Sequence, residues 1–213
     1  MSSIIFLLSP DQAFIATDTL SVTTDGTPLN FTTKAFVVPH LKLVIAGTGL
    51  AGVSSAWFRR INESMLVSDI DHLNHHTQVS LTELCSTEFS NIDEDEISTT
   101  IYHVGVGADG DIHGYSYSSR YGFESRPIEY GLSMKPGAGV EPDPESPRTF
   151  IELMEAQKGL QQQVDAPSRV YIGGQAQVVS LDKAGNFHIF YQGNISDYED
   201  DKDAMYMAFK RTK

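Results

Sequence analysis

Cysteine is almost absent. A single Cys85 in 213 residues excludes an intramolecular disulfide framework and the paired-thiolate sites of zinc ribbons, and it suits a reducing interior. Basic residues are also few: 15 Lys and Arg stand against 28 Asp and Glu, a formal net charge of −13 that opposes phosphate backbones and anionic lipid surfaces. No nucleic acid and no membrane is therefore expected as a partner. Long apolar runs are missing as well. The early run at residues 4–8 has no basic residue ahead of it. It is shorter than the roughly 7–15 residues of a secretory core or the roughly 20 of a membrane span. The start reads as mature and cytoplasmic. There is no internal repeat, and at roughly 150 residues per domain the length suits one domain. Residues 1–195 are assigned to it and 196–213 to an acidic-then-basic tail.

What is present is a strand-rich opening. Apolar runs at 4–8 and 13–16 flank Ser9-Pro10-Asp11-Gln12, which predicts a buried hairpin. β-rich segments follow at 20–24, 34–38 and 42–46. After the glycines at 47, 49 and 52, Leu50, Val53, Trp57 and Ile61 recur at helical spacing. Ser68 as N-cap, with Ile70, Leu73, Thr77, Leu81 and Leu84 as a stripe, predicts a second helix to about residue 89. Past an acidic break at 91–96, strands are predicted at 99–106, 112–117 and about 123–130, with Asp109-Gly110-Asp111 as a turn. A proline-rich acidic loop at 136–147, a helix near 150–163 and a last hairpin at 170–181 and 187–191 complete the chain. Strands, two helices, strands, one helix and strands predict an α+β fold, a four-layer αββα sandwich of two antiparallel sheets with helices outside. A doubly wound parallel sheet is disfavoured because strict β-α-β alternation is missing.

The chemistry begins at Ser2. If Met1 is removed, Ser2 carries a hydroxyl and a free α-amine on adjacent carbons. An unperturbed α-amine has a pKa of about 7.7–8.0, so a useful neutral fraction can accept the hydroxyl proton. Such a site needs a nearby cation to hold the amine in its unprotonated, basic form and a carboxylate to hold that cation; Lys34 and Asp18 are the candidates.

Ser2, Asp18 and Lys34 are evenly spaced. Chance Asp and Lys at two fixed positions is on the order of one in 250. With Ser2-Ser3-Ile4-Ile5, Ala16-Thr17-Asp18-Thr19 and Val44-Ile45-Ala46-Gly47, this spacing resembles the proteasome β-subunit and HslV-type peptidase branch of the N-terminal nucleophile (Ntn) hydrolases. The resemblance covers roughly residues 2–130. It implies that Ser2 Oγ attacks an amide carbonyl, its own amine takes the proton, Lys34 tunes that amine, Asp18 pairs with Lys34, and the Gly47 N–H stabilises the oxyanion. Departures are visible. Serine replaces the family's usual threonine and lacks the methyl that restricts the hydroxyl rotamer. Gly131-Leu132-Ser133-Met134 only echoes the family's Ser-Gly loop, which makes Ser133 a supporting residue. Asp165-Ala166-Pro167-Ser168 is similar to the family's Asp-x-x-Ser support for the amine, through Asp165 and Ser168, although matching Gly173-Gly174 instead shifts the register.

Blander readings stand beside these. Asp18 can cap a strand end, Lys34 can be a solvated strand lysine, and Gly47 can make a tight strand-to-helix turn. His72, His75 and His76 share a helix face but lack a paired carboxylate motif, so no metal is assigned, and no cofactor is expected. Cys85 falls in the helical stripe and reads as core. The leading expectation is an amide or peptide hydrolase acting through Ser2. The resemblance implies assembly as a homo-oligomer, a ring among the forms, with an ATP-driven unfoldase as a partner that could feed it. Two alternatives are an inactive relative serving as a structural or interaction subunit, and a small-molecule amidase.

Overall fold

The continuous apolar runs within Ile4–Leu8 (β1) and Gln12–Asp18 (β2) pair antiparallel, Ile4 opposite Thr17 and Leu8 opposite Ala13. The computed structural model describes residues 2–50, 52–92, 98–139 and 149–211. In chain order there follow β3 (Leu20–Val22), β4 (Pro28–Phe31), β5 (Ala35–Val38), β6 (Leu43–Gly49), α1 (Val53–Ser64), α2 (Ile70–Glu88), β7 (Thr99–Val106) and β8 (Ile112–Ser118). The chain continues through β9 (Ser125–Pro127), β10 (Gly131–Lys135), α3 (Phe150–Gln161), β11 (Gln175–Asp182), β12 (Phe187–Asn194) and α4 (Tyr198–Arg211). One five-stranded sheet has the order β10-β1-β2-β11-β12 and a second the order β5-β6-β7-β8-β9, while β3 and β4 form a separate two-stranded ribbon.

The two-residue period of the strands divides the core. Ile4, Phe6, Ile15 and Val179 of the first sheet meet Val44, Ala46 and Val104 of the second. Ile5, Ala16 and Val178, on the opposite face of the first sheet, pack with Leu153 and Met154 of α3. The outer face of the second sheet offers Leu43, Ile45 and Ile101 to Trp57 and Ile61 of α1 and to Leu73 and Leu81 of α2. Those helical residues recur at the spacing that places side chains on one stripe. Trp57 is fully buried, and its Nε1–H donates to His103 Nε2 at 2.8 Å. The imidazole proton must then sit on Nδ1, which has no partner among the described residues. Burial drives the His103 pKa down to about 3, so the ring stays neutral.

The expected four-layer αββα sandwich is corrected. Among the described residues the fold is a sheet-dominated mixture of α and β with three antiparallel sheets and four α-helices. The stretch after Leu20 folds back on itself, Thr23 N–H bonding Thr27 O at 2.9 Å, and the resulting ribbon belongs to neither large sheet. α4 packs on this ribbon, its Tyr198 ring stacked 4.9 Å from Phe31. Layer counting assumes that every helix covers a sheet. A strand pair that leaves its sheet breaks that rule.

Smaller differences have local causes. α2 is capped one residue later than predicted, Asp69 Oδ1 accepting the His72 N–H at 2.8 Å, while the Ser68 hydroxyl donates to Asp69. The strand predicted over about 123–130 is shorter, only Ser125–Pro127 (β9), and the segment read as a loop at 131–134 is strand β10. β9 stays beside β8, and β10 crosses to pair with β1, Met134 opposite Ile5. Of the stretch read as a tail, Tyr198–Arg211 form α4. Met1, residues 93–96 of the acidic break and 140–147 of the proline-rich loop lie outside the described residues. Among the described residues, no helix is long and apolar enough to cross a membrane.

Candidate active site

Asp18 ends β2 and is completely buried, where an unpaired charge would be costly. Its carboxylate is instead surrounded by donors. Oδ1 accepts from Lys34 Nζ at 2.9 Å and from the Ser3 N–H at 3.0 Å, and Oδ2 accepts from the Gly173 N–H at 3.3 Å. Burial pushes the carboxyl above the ordinary aspartate value, while the Lys34 ammonium and the two N–H donors pull it back down. Lys34, just ahead of β5, also donates to Leu20 O at 2.6 Å. Two of its three N–H donors are thus taken among the described residues, and the ammonium is held in place from two sides.

Ser2 and Lys34 both border a cavity of about 920 Å³, together with Gly47, Thr48, Arg169 and Tyr171. Ser2 is half-buried, directly before β1. Its neighbour Ser3 is tied down on both sides. The backbone N–H reaches Asp18, and the hydroxyl donates to Gln157 Oε1 on α3, whose Nε2 in turn donates to Pro136 O. The start of β1 is therefore fastened to the buried ion pair and to α3, the helix that covers its own sheet.

The other residues singled out by sequence lie differently. Gly47 borders the cavity, but its N–H donates to Lys34 O at 3.2 Å in the β5–β6 ladder. A Cβ there would come within 2.5 Å of Ser54 Cβ on α1, so close helix packing accounts for the glycine. Ser133 on β10 faces the space between the two large sheets opposite Phe6, its Oγ buried and without a partner among the described residues. Asp165 and Ser168 are exposed, linked to each other by Ser168 N–H to Asp165 O at 2.9 Å, and neither borders the cavity. Gly173, the alternative register, is the late residue that reaches Asp18, and its carbonyl also accepts from Thr19 and Leu20 N–H at 3.3 and 3.1 Å. Gln157 and Arg169 were missed; each lies in a helix or turn whose pattern carries no sign of its distant partners. The His72 and His76 rings lie 5.2 Å apart and tilted on α2, and no group of His, Cys, Asp or Glu among the described residues is placed to hold a metal ion.

No protein-family model matches the sequence, and no curated protein does. Solved structures match over the whole chain. Anbu (ancestral β-subunit) from Yersinia bercovieri aligns with a TM-score of 0.60 at 9% identity, over 100% of this chain and 95% of that one. An Anbu mutant from Hyphomicrobium sp. strain MC1 gives 0.63 at 8% identity, and Anbu from the same organism gives 0.61 at 11%, each over 100% of this chain and 96% of the other. The chain thus shares its fold with Anbu proteins, which are proteasome-like but form a distinct branch. The resemblance to the proteasome β-subunit and HslV-type branch is corrected accordingly.

Proposed function

We propose that the protein hydrolyses amide or peptide bonds through Ser2 once Met1 has been removed. The observation that supports this reading is the buried Asp18–Lys34 pair, fastened to the first residues of β1 and placed against the cavity that Ser2 borders. Ser2 Oγ attacks the carbonyl carbon while its α-amine takes the hydroxyl proton. The C–N bond then breaks, the leaving amine receives that proton, and water hydrolyses the Ser2 ester. Lys34 acts electrostatically, its positive charge favouring the neutral form of the amine and stabilising the developing oxyanion. The Gly47 N–H serves that oxyanion only after parting from Lys34 O.

Intact-mass measurement followed by a β-lactone acylating probe tests this reading. The expected result is a chain beginning at Ser2 that gains one probe mass, with labelling lost in Ser2→Ala and Lys34→Ala. A processed chain that remains unlabelled overturns it. A second reading, an inactive relative retained for its interactions, is favoured by one observation, the engagement of the Gly47 N–H within the ladder. The same unlabelled outcome supports it.

A further inference from the structure

The chain carries a net charge of −13, yet none of the described residues bordering the 920 Å³ cavity is acidic. Two are cationic, Lys34 and Arg169. Lys34 is balanced by Asp18 at 2.9 Å. Arg169 is not balanced in this way: its Nε and Nη2 donate to Val164 O at 3.1 and 2.9 Å, and Nη2 to Gln162 O at 3.2 Å, all backbone carbonyls. Among the described residues it has no carboxylate partner, and its guanidinium carbon lies 5.9 Å from the centre of the Tyr171 ring. On its other side Arg169 borders a smaller depression with Asp197 and Asp201, but Asp197 pairs with Lys158 at 2.8 Å and neither forms an ion pair with Arg169. Neutral carbonyls orient the guanidinium without cancelling its charge. The result is a cation without a carboxylate partner on the wall of a cavity that, apart from the balanced Lys34, is bordered by neutral polar, aromatic and aliphatic residues.

We infer that Arg169 is a specificity-determining residue and that the cavity takes acidic peptides, with a glutamate or aspartate side chain, at the residue whose carbonyl reaches Ser2, directed at the guanidinium. A charge-assisted hydrogen bond of this kind exceeds a neutral one, and the planar fork suits a carboxylate. The inference rests on the hydrolase reading for the position of the scissile bond, but its test does not require turnover.

Peptides identical except for Glu or Gln at that residue are titrated calorimetrically into the processed chain carrying Ser2→Ala, at low ionic strength. The Glu peptide is expected to bind about tenfold more tightly, with the advantage shrinking as salt is raised. Arg169→Gln is expected to bring the ratio to about one, and Arg169→Glu to reverse it in favour of a Lys peptide. Because Arg169 also ties two loop carbonyls, Arg169→Lys serves as a second variant that keeps the charge and loses the fork; a partial preference is expected. Equal binding of the Glu and Gln peptides overturns the inference without recourse to any Arg169 variant, and so does a preference unchanged in both Arg169→Gln and Arg169→Glu. Acylation of Ser2 without acidic preference leaves the hydrolase reading standing and defeats this one; acidic preference in a chain whose Ser2 never acylates does the reverse.

Discussion

Lys34 Nζ and Asp18 Oδ1 lie 2.9 Å apart, with the carboxylate side chain fully buried and the lysine 10% exposed. Removing one partner leaves the other charge without compensation. Asp18→Ala is expected to lower unfolding free energy by about 3–5 kcal/mol, read from urea denaturation midpoints, and Asp18→Ala combined with Lys34→Met should recover part of that loss. A single-variant loss below about 1 kcal/mol would show that water reaches the ammonium and that the pair is not structurally buried.

His103 makes stability depend on acid. Its folded pKa is lowered to about 3 by burial, whereas an unfolded histidine titrates near 6.5. Between these values the unfolded chain binds the extra proton, so stability is full above about pH 6.5 and falls by about 1.4 kcal/mol per pH unit below it. Denaturation midpoints between pH 7 and 4 should trace that slope. His103→Leu should flatten it, and an equal slope in the variant would place the acid sensitivity elsewhere.

Gly174 has a φ of +76°, and a Cβ there would stand 2.4 Å from Thr19 Oγ1 and 3.0 Å from Leu20 N. Gly174→Ala should therefore cost about 1–3 kcal/mol and displace the neighbouring Gly173 N–H that holds Asp18. A fall in melting temperature accompanied by slower probe labelling of Ser2 is the expected pair of results; labelling at the wild-type rate would show that the Asp18 site tolerates the shift.

Thr149 and Glu152 close a capping box at the start of α3, Glu152 accepting the Thr149 N–H at 2.7 Å while the Thr149 hydroxyl accepts from Glu152 N–H. Thr149→Ala should cost about 1 kcal/mol. Hydrogen exchange at the Glu152 amide should quicken, while exchange in β6 and β7 stays as it was.

Local pattern made much of this readable. The apolar runs at 4–8 and 13–16, the helical stripe through Val53, Trp57 and Ile61 and the turn-rich breaks between them are properties of neighbouring residues, so strand and helix positions follow from the chain alone. The cap of α2 was misplaced by one residue because Ser68 and Asp69 are both good caps and the choice depends on which side chain reaches the His72 N–H. Gly131–Met134 reads in the sequence as a loop, and nothing in those residues records that they pair with β1 as strand β10.

The sequence by itself determined the charge balance, the single thiol, the order of elements and the even spacing of Ser2, Asp18 and Lys34, all of which are written along the chain. Only the tertiary structure decided that Gly173 reaches Asp18, that the Gly47 N–H is taken by Lys34 O, that the β3–β4 ribbon leaves the sheets to meet α4, and that Arg169 borders the cavity of Ser2. Each of these joins groups far apart in the chain or depends on strand register. Such contacts are selected by the packing and hydrogen-bond satisfaction of the whole fold, which no local window of residues encodes.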